Sequence, residues 1–203
     1  ERRFGFHTVE AGIELQMPIY QTGSLLFGVD ARKQKHKIET FSRIERETKK
    51  QTPINPDRDE TLDNIAAFFQ YSQQLTEHWR GIFGMRLDDD SVIGQQTSSR
   101  LGLVGEMENS TVLKFLAGNS FQAPSPELLY RTAVQSGDII GNPNLDAQQA
   151  TTFELSVARP ISEVLYGAVT LFHTQVEQLI VFNFDGSNLI AQNSASSETH
   201  GVE

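Results

Sequence analysis

Asn64-Ile65-Ala66-Ala67-Phe68-Phe69-Gln70-Tyr71-Ser72 and Trp79-Arg80-Gly81-Ile82-Phe83-Gly84-Met85-Arg86-Leu87-Asp88 decide the fold. In the first run Ile65, Ala67, Phe69 and Tyr71 share one face, opposite Asn64, Phe68, Gln70 and Ser72. In the second, Trp79, Phe83, Met85 and Leu87 stand against Arg80, Gly84, Arg86 and Asp88. A period of two is the signature of a strand with unlike faces. A short link at 75–78 joins the runs, so they pair as an antiparallel hairpin. The same alternation appears upstream, in Val9, Ala11, Ile13, Leu15 and Met17 and again in Leu25, Phe27, Val29 and Ala31. It continues near 99–107, 111–121, 150–159 and 164–180. That predicts an all-β chain: an antiparallel up-and-down meander of eight strands, with a ninth starting at about Thr199.

The links alternate in length. Short ones are expected near 18–22, 75–78, 108–110 and 160–163, and long ones near 33–62, 89–98, 122–149 and 181–198. Short turns at one end and long loops at the other are the pattern of outer-membrane barrels. The faces agree with it. The apolar face suits lipid, whereas Glu10, Glu14, Asp30, Arg32, Arg80, Arg86 and Glu154 suit a wet or plugged lumen. Trp79 and Tyr20 sit at short turns, where an aromatic girdle would lie.

Composition narrows the function. The 203 residues carry 17 Lys+Arg against 26 Asp+Glu, a net charge of −9 that argues against a nucleic-acid partner. The absence of cysteine excludes disulfides, thiolate metal sites and cysteine nucleophiles. No apolar run reaches the roughly 18–20 residues of a membrane helix. No nucleophile elbow, P-loop or HExxH motif is present, so no enzymatic activity and no cofactor are expected. The chain opens on Glu1-Arg2-Arg3 and stops at Gly201-Val202-Glu203 inside a strand pattern. Both ends are therefore expected to be internal to a longer precursor.

Five patches, in order, carry a resemblance. They are Phe68-Phe69-Gln70-Tyr71 through Gly84-Met85-Arg86-Leu87-Asp88; Ser99-Arg100-Leu101-Gly102-Leu103; Gly118-Asn119-Ser120-Phe121-Gln122-Ala123-Pro124 with Glu127-Leu128; Gly141-Asn142-Pro143-Asn144-Leu145 with Thr152-Phe153-Glu154-Leu155; and Phe172, Leu179-Ile180 and Gly201-Val202-Glu203. Together they resemble the barrel of TonB-dependent outer-membrane receptors. Asp146-Ala147-Gln148 departs from the family pattern, as does the shortness of 89–98. The resemblance implies that residues 1–203 form one partial transmembrane β-barrel domain, supplying roughly eight strands, and the start of another, to a barrel of about 22 strands around a plug. It also implies a bacterial outer membrane and TonB as partner through a region outside this sequence. The cargo would be a scarce nutrient such as a ferric siderophore, haem or cobalamin. A self-contained eight-stranded adhesion or structural barrel is the rival reading, and a soluble ligand-binding barrel a weaker one.

Three groups of residues are candidates for contact. Residues 32–50 hold eight basic and three acidic side chains, a net +5 that leaves −14 for the rest. Within them Lys35, Lys37, Arg43, Arg46, Lys49 and Lys50 could meet lipopolysaccharide phosphates or attract an anionic chelate. Gln122, Tyr130, Arg131 and Gln135 lie in a loop bracketed by prolines and could touch ligand over the barrel mouth. The acidic runs Asp88-Asp89-Asp90 and Asp57, Asp59, Glu60 have oxygen donors for Ca²⁺ but lack the glycine-spaced order of a dedicated loop. They read as strand-end turns. His7, His36, His78, His173 and His200 show no metal-binding spacing, so no metal site is expected.

Overall fold

In a computed structural model of the chain, residues 4–20, 22–38, 42–48, 50–53, 58–133 and 135–203 are described. The strands are β1 (Phe4–Ile19), β2 (Gly23–Ile38), β3 (Ser42–Ile44), β4 (Gln51–Pro53), β5 (Arg58–Gln74), β6 (Trp79–Asp90), β7 (Gly94–Glu106), β8 (Val112–Gln122), β9 (Ile139–Ile140), β10 (Gln148–Pro160), β11 (Tyr166–Phe184) and β12 (Leu189–Val202). One helical turn, α1 (Pro126–Tyr130), precedes β9.

Ten strands form one sheet in the order β1-β2-β5-β6-β7-β8-β10-β11-β12-β9, and β3 pairs with β4 as a separate hairpin. Every neighbouring pair of long strands is antiparallel; only the two-residue β9 runs parallel, against Leu189 and Ile190. Among the described residues β1 has no partner beyond β2, and β12 has none but β11 and β9. The sheet is thus an open arc, and the closed eight-stranded rival does not describe it.

Two expected long loops are not loops. β6 and β7 run to Asp90 and from Gly94, so the 89–98 link shrinks to a turn. There the Asp90 carboxylate accepts the Val92 N–H at 2.9 Å and the Ile93 N–H at 3.3 Å. Likewise β11 and β12 leave only residues 185–188 between them, so the ninth strand begins ten residues before Thr199. The turn is held by Asp185, whose carboxylate accepts the Asn188 N–H (2.7 Å) and Ser187 N–H (2.8 Å) and is kept below the usual carboxylate pKa by them. Serine, asparagine and threonine in 192–199 hid the strand, because their polarity reads as loop. Strands this long rise past a bilayer at one end, since a spanning strand needs about 9–11 residues.

Register sorts the side chains into rows. Leu15, Phe27 and Phe69 lie in one cross-strand row, Leu103, Phe115 and Leu155 in another, and Leu155 faces Leu171. Phe83 and Val169 belong to the same face. Of these nine residues, all but Leu103 are well exposed. Along β10 exposure alternates strictly, with Phe153, Leu155 and Val157 open and Thr152, Glu154 and Ser156 half-covered. A sheet that curls crowds its concave side and opens its convex one, so the apolar side is the convex one.

At the short-turn end Trp79 lies directly opposite Gly105, its indole spread over the glycine. A Cβ at Gly105 would come within 2.6–2.7 Å of three indole carbons, so only glycine admits this packing. Trp79 is the single tryptophan. Gly105→Val is therefore expected to push the indole off the sheet, read as a red shift of its emission in lipid-inserted chain.

Candidate functional site

The concave face carries an ion cluster built from three adjacent strands. Arg86 of β6 donates through Nη1 and Nη2 to Asp30 of β2, at 2.6 and 3.0 Å. Its Nε and Nη2 reach Asp88, both at 2.9 Å. Asn64 of β5 donates to the same Asp88 at 3.3 Å. The row Gly12, Asp30, Ala66, Asp88 explains how the long guanidinium fits, because the one residue between the two acids, Ala66, is small. Phe68 lies under the guanidinium at 5.7 Å, and it fits because Gly28 opposite has no Cβ to meet it. Asp88 is buried. So Asp88 serves as an ion-pair partner within β6, and Asp90 as the cap of the turn that follows. Further along, Arg100 donates to Gln70, and hydroxyl pairs Thr152–Thr174 and Thr170–Ser156 lie at 3.1 Å. Leu26, Ile82, Leu116 and Phe172 also occupy this face, which is mixed rather than uniformly polar.

Above it the loop from 123 to 147 folds on itself. Pro126 opens α1, and the Ser125 carbonyl accepts the Leu128 and Leu129 N–H groups at 2.9 and 3.2 Å. Leu129, Leu145 and Ala191 form a small buried core with Leu62, Val92, Leu128, Tyr130 and Ile180 packed around it. Because Leu62 belongs to β5 and Ile180 to β11, the loop reaches strands far apart in the sheet. It is tied to β12 by Asn142 donating to the Ala191 carbonyl (3.0 Å) and by a two-way bond between Asp146 and Asn193. Gly137 N–H also donates to the Ser187 carbonyl at 2.7 Å.

The four loop candidates divide accordingly. Gln122 and Gln135 are exposed, at the end of β8 and in the loop. Tyr130 is half-buried against the small core, and Arg131 is paired at 2.8 Å with Asp138, both largely covered. Arg131 therefore braces the loop. Leu129→Ala is expected to cost the loop about 2 kcal/mol, the low end for a buried leucine, because so small a core can collapse. Protease cutting within 123–147, with the barrel strands still protected, would show it.

The basic stretch splits by parity. Lys33, Lys35 and Lys37 stand exposed on the convex side of β2, beyond Ala31, while Arg32 and His36 take the concave side. Lys33 reaches Asp63 at 3.5 Å. Arg46 and Lys50 are exposed on the β3–β4 hairpin; Lys49 lies outside the described residues, as does the side chain of Arg43. Asp57 is likewise outside them.

Two of the histidines are brought together by the sheet. His173 and His200 face each other across β11 and β12, with Glu198 beside them, and one ligand atom from each lies within 4.8 Å of the others. Placing 181–198 in a loop had concealed this pairing.

A protein-family model described as TonB dependent receptor-like, beta-barrel, matches residues 2–203. The chain belongs to that family. A curated relative, the iron-regulated outer membrane virulence protein of Vibrio cholerae serotype O1, is 28% identical over 120 residues, 57% of this chain and 18% of the relative. Among solved structures, the siderophore receptor PirA from Pseudomonas aeruginosa superimposes with a TM-score of 0.79 at 18% identity, covering 98% of this chain and 36% of that one. A point mutant of the ferric enterobactin receptor PfeA from the same organism gives 0.79 at 16% identity, covering 98% and 32%. The chain thus spans about a third of these receptors' length. Membership of that family places it in the bacterial outer membrane, where the convex side of a barrel wall is the one that meets lipid.

Proposed function

We propose that this arc belongs to a receptor that imports a ferric siderophore across the outer membrane, driven by TonB. The sequence likeness to an iron-regulated outer membrane protein over 57% of the chain carries this reading. Neither the chain nor these relatives singles out haem or cobalamin, so the siderophore leads. In this reading the loop over the mouth presents Gln122 and Gln135 to the chelate, while Tyr130 and Arg131 hold its shape. Plug rearrangement, powered through TonB, then releases the cargo inward. The test is growth of an iron-starved strain expressing the receptor on a panel of ferric chelates, haem and cobalamin. Rescue by one chelate, lost without TonB, is expected; rescue by cobalamin or haem alone would overturn the assignment.

A second reading concerns the outer wall. Lys35 and Lys37, with Arg46 and Lys50 of the β3–β4 hairpin, form a cationic crown for lipopolysaccharide phosphates, favoured by the exposed lysines above the apolar rows; Arg43 and Lys49 add to the charge of the same stretch of sequence. Lys35→Glu with Lys37→Glu is expected to reduce lipopolysaccharide that copurifies with the receptor. An unchanged amount would refute it.

A further inference from the structure

The geometry points to a divalent transition-metal site on the outer wall of the barrel, formed by His173, Glu198 and His200. The two imidazoles are a directly opposed cross-strand pair, and Glu198 lies two residues from His200 on the same face. His173 Nδ1 is 3.8 Å from Glu198 Oε1. A tetrahedral ion with ligands at roughly 2.0–2.2 Å needs its donors about 3.3–3.6 Å apart, so small rotamer changes close the present spacing. The ladder is regular here, since its register shifts begin only at Val176.

Position sharpens the argument. Leu171 and Val202 form the row below, Phe153 flanks His173, and Gln175 stands in the row above. The cluster therefore sits where the lipid-facing apolar band gives way to polar side chains. Imidazole and carboxylate groups turned toward the outside at this height are costly unless paired or bound to a metal. Two nitrogens and one carboxylate select zinc, copper or nickel, while Mg²⁺ and Ca²⁺ prefer all-oxygen sites. A bound ion would clip β11 to β12 below the hairpin to which the 123–147 loop is tied. It would act as a structural clip, independent of the siderophore proposed as cargo.

The test uses the receptor carrying this barrel, in lipid nanodiscs, with Zn²⁺ and Cu²⁺ as probes. Calorimetry is expected to show one Zn²⁺ equivalent that His173→Gln with His200→Gln removes or weakens at least tenfold, with Glu198→Gln weakening it less. Cu²⁺ paramagnetic resonance on unmodified receptor is expected to show coordination by two imidazole nitrogens, so the proposal does not hang on the variants folding. Unchanged Zn²⁺ stoichiometry and affinity in a folded double variant, absence of a two-imidazole Cu²⁺ signal, or equal competition by Mg²⁺ would overturn it.

Discussion

Arg86→Glu is expected to prevent the barrel from folding into lipid vesicles, although it changes a lumen-facing residue. A water-filled or plugged lumen, considered by itself, would tolerate charge reversal there. The side chains decide otherwise. The guanidinium lies between Asp30 and Asp88, and Asp88 is almost wholly covered. Replacing it by glutamate gathers three carboxylates where one cation had held two. Removing one partner of a buried pair costs about 3–5 kcal/mol. Arg86 is itself 36% exposed, which lowers that figure for simple deletion, but reversal adds like-charge repulsion. Arg86→Ala should fold with a loss of about 2–3 kcal/mol for that reason. Among the described residues Glu154 has no ion-pair partner and stands opposite Leu116 and Phe172, and Glu154→Lys should fold almost normally. Urea titration of folding, followed by heat-modifiable electrophoretic mobility, separates the three. Equal stability of Arg86→Glu and Glu154→Lys would show that the cluster contributes nothing.

Phe83→Arg is the complementary case. Phe83 is 41% exposed on the convex face and meets Phe69 edge-on at 5.6 Å. An arginine there must enter hydrocarbon, at about 2–4 kcal/mol near the bilayer midplane and about 0–1 near the interfaces. Gly105→Val acts lower down, beside Trp79, and should perturb only the girdle. Folding yield of Phe83→Arg should therefore recover in bilayers with shorter acyl chains, which bring the interface closer. Arg86→Glu should show no such recovery. A Phe83→Arg receptor as stable as wild type in thick bilayers would invert the faces.

What could be read from sequence follows from dimensionality. Alternation is a property of one strand, so Phe27 and Phe69 announce their face without knowledge of their neighbours. Family patches such as Gly141-Asn142-Pro143 work in the same local way. Contacts between strands do not. Asp30 and Arg86 are 56 residues apart, and nothing in either segment states that a small-residue row lets them touch. β12 was curtailed because its outward residues include Ser, Glu and His rather than Leu or Phe, and the His173–His200 pairing vanished with it. The parallel β9 rests on two residues, Ile139 and Ile140, too few to carry a period. Tyr130 and Arg131 were rightly placed in the proline-bracketed loop, but only the packing of Leu129 and the Asp138 pair shows them facing inward as braces.

The central claim is that one face of this sheet meets lipid and the other a wet lumen. Because the chain contains no cysteine, single cysteines at 153, 154, 155 and 156 of β10, in an otherwise cysteine-free receptor, give a direct readout. Each is labelled with an environment-sensitive fluorophore after insertion into vesicles and quenched in turn by a lipid-borne nitroxide and by aqueous iodide. Quenching should alternate, with lipid nitroxide acting on positions 153 and 155 and iodide on 154 and 156. Uniform quenching by iodide, or lipid quenching confined to 154 and 156, would contradict the account.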